Sequence, residues 1–245
     1  MAKQTGLGDN FYLDGVDLSG DIGSLGAVGG GNSPLEVTGI DKSAFERLGG
    51  LRDGRIEFVA FFNDATSQEH LTLRGLPTTD RNASYFRGTA LGGQAASMVA
   101  KQVNYDPTRG ADGSLTLAVQ ALANGYGLEW GRSLTAGKRT DSAPTNGASV
   151  DFTDVTTAFG WQAWLHVFAF AGTSVTVTIQ DSADDAAFAN LTGGAFTAAT
   201  GVTSQRLEGG RTATVRRYLR AITSGTFSNA VFAVVFTRNL TSVAY

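Results

Sequence analysis

The sequence predicts a mainly β protein of sandwich type, and three observations carry that prediction. Its 32 glycines fall between short runs of Val, Thr, Phe and Leu, the punctuation of many short strands joined by turns. Several of those runs alternate apolar and polar side chains, the period of a strand with one buried face. Hydrophobic residues make up 42% of 245 residues and charged ones only 17%, enough apolar material for a core in each of two ordinary domains.

Residues 1–33 are glycine-rich, and Gly20, Gly23, Gly26, Gly29, Gly30 and Gly31 make 19–32 too flexible for regular structure without outside support. The expectation there is a mobile arm or long loop; the second reading is an arm that orders only against a neighbouring subunit. Phe11, Tyr12 and Leu13 form a short anchor strand. LEVTGI at 35–40 alternates weakly and pairs with a strand beginning at Arg55.

The stretch 41–63, DKSAFERLGGLRDGRIEFVAFFN, is the most core-like part of the chain. Gly49-Gly50 and Arg52-Asp53-Gly54 supply turn conformations ahead of the strand. Ile56, Phe58, Ala60 and Phe62 share one face of it. On the other face Arg55 and Glu57 are followed by Val59 and Phe61, a surface that begins wet and ends apolar. Such a face suits a sheet against which another chain or domain packs.

SQEHLTLRGL at 67–76 reads as a short helix, with Ser67 as cap, Leu71, Leu73 and Leu76 mostly on one side, and Pro77 as a stop. Strands follow at 83–89 and 96–105. Residues 106–113, DPTRGADG, are dense in turn formers, and 114–122 after them places Leu115, Leu117, Val119 and Ala121 on one face, which together predict a hairpin. After 125–130, the stretch 135–149 has no bulky side chain and reads as a linker between a first domain, 1–134, and a second, 150–245. The second half holds strands at 161–170, 174–180, 216–223 and 230–238, spaced as in a β-sandwich. Trp164, Val167 and Phe170 break strict alternation, which calls for a bulge or burial on both faces.

Composition and motifs exclude several kinds of chemistry. Cysteine is absent, so no disulfide framework, thiolate nucleophile or cysteine metal site exists. No apolar run is long enough to span a bilayer, and MAKQTGLGDN lacks the hydrophobic centre of a signal peptide, so the expectation is synthesis in the cytoplasm without a membrane partner. The net charge is −3, and residues from 148 onward carry six charges of each sign, so the imbalance lies entirely in the first part. A mildly acidic surface does not hold a phosphate backbone. GRSLTAGKR at 131–139 has five residues where a phosphate-binding loop has four, and Arg139 stands where the hydroxyl belongs. No helical pattern follows the glycines of 19–32, so they make no dinucleotide fingerprint.

His70 and His166, the two histidines, fall in different halves and supply neither a triad nor a zinc cluster; His166 reads as a core or interface residue. Asp181, Asp184 and Asp185 lack the glycine pivot and bidentate glutamate of a calcium loop and read as a solvated turn. Arg216, Arg217 and Arg220 read as ion-pair partners. No catalytic, cofactor or metal residue is singled out, and the expectation is not an enzyme.

The glycine-rich arm, LGGLRDGRIEFVAFF, the short helix and YDPTRGADGSLTLAVQALANGYGLEWG, in that order, resemble the major tail (tail tube) protein of long-tailed, siphovirus-type phages of actinobacteria. SVTVTIQDSADDAAFANL and RRYLRAITSGTF are similar to a sandwich domain at the end of such subunits. The resemblance implies a β-sandwich or half-barrel with one flanking helix, followed by an outer C-terminal sandwich. It implies virion subunits that join sheets into rings, with six members expected, and stack into a tube for DNA ejection. Implied partners are further copies of the chain, a tape measure protein, tail terminator and tip proteins, and double-stranded DNA in transit without specific binding; no cofactor is implied. The residues assigned to assembly are Gly23, Gly26, Gly29, Gly30, Gly31, Arg52, Asp53, Arg55, Glu57, Val59, Phe61, Asp106, Arg109 and Asp112. The competing reading is a module that binds host carbohydrate on Trp161 and Trp164 of the second half.

Overall fold

Alternating side chains find their partners along nearly the whole chain, because each apolar run is long enough to pair across a sheet and bury one face. The computed structural model describes residues 5–76, 78–153 and 156–242; the expected stop at Pro77 and the first residues of the glycine-rich segment lie outside them. The elements are β1 (Asn10–Leu13), β2 (Val16–Asp17), β3 (Ile22–Glu36), β4 (Arg47–Phe61), α1 (Glu69–Leu73), β5 (Arg81–Phe86), β6 (Gln94–Gln102), β7 (Asp106–Arg109) and β8 (Leu115–Ala123). They continue as β9 (Glu129–Ser133), β10 (Arg139–Asp141), β11 (Val150–Asp151), β12 (Trp161–Ser182), β13 (Ala189–Ala195), β14 (Thr203–Glu208) and β15 (Tyr218–Arg238). The protein is mainly β, with one short helix among the described residues, and its strands form one connected antiparallel sheet consistent with a sandwich-type fold.

Strand β6 organises the first half by changing partner along its length. It pairs with β5 on one side, and on the other its end meets β8 and its start meets β9. β9 in turn pairs with β15, through Val235↔Ser133 and Phe236↔Arg132, and so carries the sheet into the second half. There β12 and β15 run antiparallel for about their whole lengths, flanked by β13 and β14 on one side and by β10 and β11 on the other. The four strands expected in the second half are therefore two, of 22 and 21 residues. Gly172 and its neighbours mark register shifts inside β12 instead of a turn. A further shift between Val167 and Ala169 supplies the expected bulge, and residues 161–167 are buried throughout.

Two large cores result. One gathers Phe11, Leu18, Ile56, Phe58, Leu73, Met98 and Val119, the other Trp161, Leu165, Ile179, Leu219, Phe232 and Phe236. A third cluster joins them, with Tyr12, Phe86 and Ala95 of the first half against Trp164, Ala233 and Val235 of the second. Residues 135–149 hold β10, whose Arg139, Thr140 and Asp141 pair with Phe232, Val231 and Ala230, so this stretch is attached to the second half.

Three local readings are corrected. The glycine-rich stretch is a 15-residue strand, β3, and not an arm, because β4 supplies hydrogen-bond partners from Ile22↔Ala60 to Glu36↔Arg47. The turn expected at 49–54 lies within β4, and the chain reverses at 37–46 instead. The paired strands place Gly30 opposite Gly54, where a Cβ on Gly30 would stand 2.6 Å from the Asp53 carbonyl, so the glycines serve close backbone approach and not a turn. In α1, Ser67 makes no cap: Gln68 holds that position without a side-chain bond, and the Glu69 N–H donates 3.1 Å to Asp21 Oδ2. Only Leu73 of the expected leucine face is buried; Leu71 and Leu76 are exposed.

Candidate assembly surface

Pairing puts four strands side by side in the order β3-β4-β8-β7. β4 is held against β8 from Arg55↔Leu122 to Phe61↔Thr116, which aligns Ile56, Phe58 and Ala60 over Leu117, Val119 and Ala121 and buries all six. The opposite faces of β4 and β8 stay outside. Glu57 accepts a 2.9 Å hydrogen bond from Gln120 Nε2 and lies 3.8 Å from Arg55, while Val59 and Phe61 are exposed.

Beyond Gly54 the β3–β4 hairpin leaves the core, and its tip exposes Leu35, Val37, Ile40, Phe45, Leu48 and Leu51. Six large apolar side chains on one projection far exceed the scattered exposure normal for a monomer surface. The tip is nevertheless internally tied. Val37 N–H donates to the Glu46 carbonyl at 2.9 Å, Glu46 N–H to Thr38 Oγ1 at 3.0 Å, and the Arg47 guanidinium sits 4.8 Å over the Phe45 ring. At its root Arg52 meets the buried Glu129 carboxylate of β9 at 2.5 Å.

The sequence-assigned assembly residues divide along this sheet. Gly23, Gly26, Gly29, Gly30 and Gly31 line β3; Arg52, Asp53, Arg55, Glu57, Val59 and Phe61 face them or follow on β4. Gly23 lies under the Phe61 ring, 2.8 Å from where its Cβ would be. Asp106 and Arg109 are on β7, at the far edge, and Asp112 closes the β7–β8 turn by accepting from Ser114 N–H and Oγ, which hold its carboxyl below the usual range. Among the described residues β3 pairs with β4 alone and β7 with β8 alone, so both outer edges are free. The exposed tip residues Ile40, Phe45 and Leu51 are not among the residues assigned from sequence, since Ile40 reads there as the end of a strand and 41–63 as core.

The other sequence candidates are occupied structurally. His166 is fully buried, with Nδ1 accepting from Gly15 N–H at 3.3 Å and Nε2 bonded to Ser84 Oγ at 2.9 Å, and burial pushes its pKa down to about 4. Asp181 is bound to Arg216 at 2.6 Å, and Asp184 accepts from the Ala186 and Ala187 amides. Arg217 pairs with Asp151 at 2.7 Å, and Arg220 donates to Gln180 Oε1 and stacks over Phe188. Trp161 and Trp164 are both fully buried, which overturns their reading as a carbohydrate platform.

No protein-family model matches the chain, and no curated protein does. Solved structures overlap with it weakly. A chain of the virion of a native gene transfer agent particle is 16% identical with a TM-score of 0.43, over 52% of this chain and 98% of that one. The Dit protein of phage SPP1 is 11% identical with a TM-score of 0.32, over 94% and 99%. A chain of the phage p2 baseplate in its activated conformation is 9% identical with a TM-score of 0.33, over 96% and 99%.

Proposed function

We propose that this chain is a non-enzymatic structural subunit of a phage-type tail, which joins copies of itself into rings that stack into a tube for DNA. One observation carries the reading: among the described residues the outer edges of β3 and of β7 are free on either side of β4 and β8, and the β3–β4 hairpin ends in an apolar tip. A free edge offers a row of unpaired N–H and C=O groups, which another strand satisfies by addition. A subunit with one such edge at each side of a sheet adds copies head to tail, and a rotation that closes gives a ring. Six members, stacking through the hairpin tip, and placement of residues 150–245 on the outside belong to this proposal. So do location in the virion tail and contact with a tape measure protein and with terminator and tip proteins. The face carrying Arg55 and Glu57 lines the lumen in this arrangement, and the acidic first half lets DNA pass without sticking.

The absence of native cysteine gives a clean test. A double variant with Ser24→Cys on β3 and Thr108→Cys on β7 yields, on oxidation, a ladder of disulfide-linked oligomers that ends at the ring size. A product that remains monomeric under oxidation while the single variants behave identically contradicts edge-to-edge joining.

A further inference from the structure

The root of the β3–β4 hairpin contains a charged group that the assembly does not use. Glu69, the first residue of α1, is fully buried, and neither of its carboxylate oxygens has a hydrogen-bond partner. An ionised carboxylate in that position is strongly disfavoured, since burial removes water and nothing replaces it. Its near neighbour Asp21, just ahead of β3, is also buried but fully engaged: Oδ1 accepts from Asn63 Nδ2 at 2.9 Å and Oδ2 from the Glu69 N–H at 3.1 Å. The Asp21 charge opposes ionisation of Glu69.

Asp21 also binds the end of β4, because the Phe61 N–H donates to its carbonyl at 2.7 Å. One residue thus ties the start of β3, the end of β4, the connection at Asn63 and the first turn of α1. The helix it holds is marginal. It has five residues, and its neighbours Ser67 and Leu76 have φ of 60° and 40°; besides the Asp21 bond it is held by buried Leu73, by Gln102 Nε2 donating to the Leu73 carbonyl at 2.9 Å, by the His70 N–H donating to the Asn63 carbonyl at 3.0 Å, and by the His70 ring, 4.5 Å from that of Phe62.

We propose that Glu69 and Asp21 form a single-proton latch: the neutral Glu69 acid keeps α1 docked under the hairpin root, and loss of its proton to water releases α1. Burial first and the Asp21 charge second raise the Glu69 pKa to about 7, and the Asn63 backbone N–H offsets part of this. The other titratable or charged groups around α1 are His70 and Arg74 on its own segment and Tyr105 after β6, whose hydroxyl lies 2.5 Å from His70 Nδ1. Asp64, in the connection from β4, is exposed. None of them supplies Glu69 with a partner.

The sign follows from linkage. Docked Glu69 holds its proton up to about pH 7, while released Glu69 loses it near the ordinary value of 4.5. Opening of α1 therefore becomes more favourable by about tenfold per pH unit between those values, about 300-fold in all, and is level above and below. Hydrogen exchange of the 69–74 amides, corrected for the intrinsic rate at each pH, measures this in the full chain. Wild type is expected to lose protection as pH rises from 5 to 7, and Glu69→Gln, which keeps the shape without the proton, is expected to show no such trend. Equal pH dependence in the two proteins overturns the latch. An infrared carboxylic-acid band, present in wild type at pH 6 and lost by pH 8, tests the same group without substitution; its absence at pH 6 overturns the proposal.

Discussion

Single residues decide how closely the strands approach. Gly54 packs against Leu128, whose Cβ would lie 2.7 Å from a Cβ at position 54. Gly54→Ala is expected to destabilise the fold by about 1–3 kcal/mol, the usual effect of overpacking, measured by urea denaturation. His166 binds Gly15 and Ser84 as a neutral ring where the two halves meet. Its pKa is about 4 in the fold against 6.5 in the unfolded chain, so the unfolded state binds the extra proton between these values. Stability linked to His166 is full above pH 6.5 and is lost as pH falls toward 4, by about 3 kcal/mol. Glu69 acts in the opposite sense over an overlapping range. The readout is therefore the difference between wild type and His166→Gln: the variant is expected to lose less stability than wild type between pH 6.5 and 4.5.

At the scale of elements, the hairpin tip is where apolar surface is left without cover. Replacing Ile40 and Phe45 by Ser is expected to leave the unfolding free energy within about 0.5 kcal/mol of wild type, since exposed side chains contribute little to the monomer. The same change is expected to abolish stacking of rings, checked by sedimentation. Strand identity was legible where alternation was strong, as in β4 and β8. Strand length was not. Gly172 and Gly225 read as punctuation, yet the long pairing of β12 with β15 absorbs them as irregularities. The same limit hid β3, whose glycines carry no pattern of their own and become a strand only because β4 pairs with them. The cap of α1 was unreadable for a similar reason, since Asp21 comes from 48 residues away.

For the whole molecule, the first half and second half share β9, the Tyr12–Phe86–Trp164 cluster and the His166 bonds. Tyr12 lies 4.9 Å from Phe86 and 4.7 Å from Phe168, ring centre to ring centre. Unfolding is accordingly expected as one cooperative transition by calorimetry. Residues 1–134 alone, lacking β15 and the apolar cover it brings, are expected to melt without cooperativity. The candidate assembly surface draws on residues 41–63, which stood out in the sequence through the mixed face of Arg55, Glu57, Val59 and Phe61. That Asp106 and Arg109 share a sheet with those residues was not legible, because β7 reaches that sheet only through β8.

Electron microscopy of the purified chain after negative staining tests the central claim most directly. Rings of uniform diameter that stack into tubes as concentration rises are the predicted result, and a protein that stays monomeric at every concentration contradicts it.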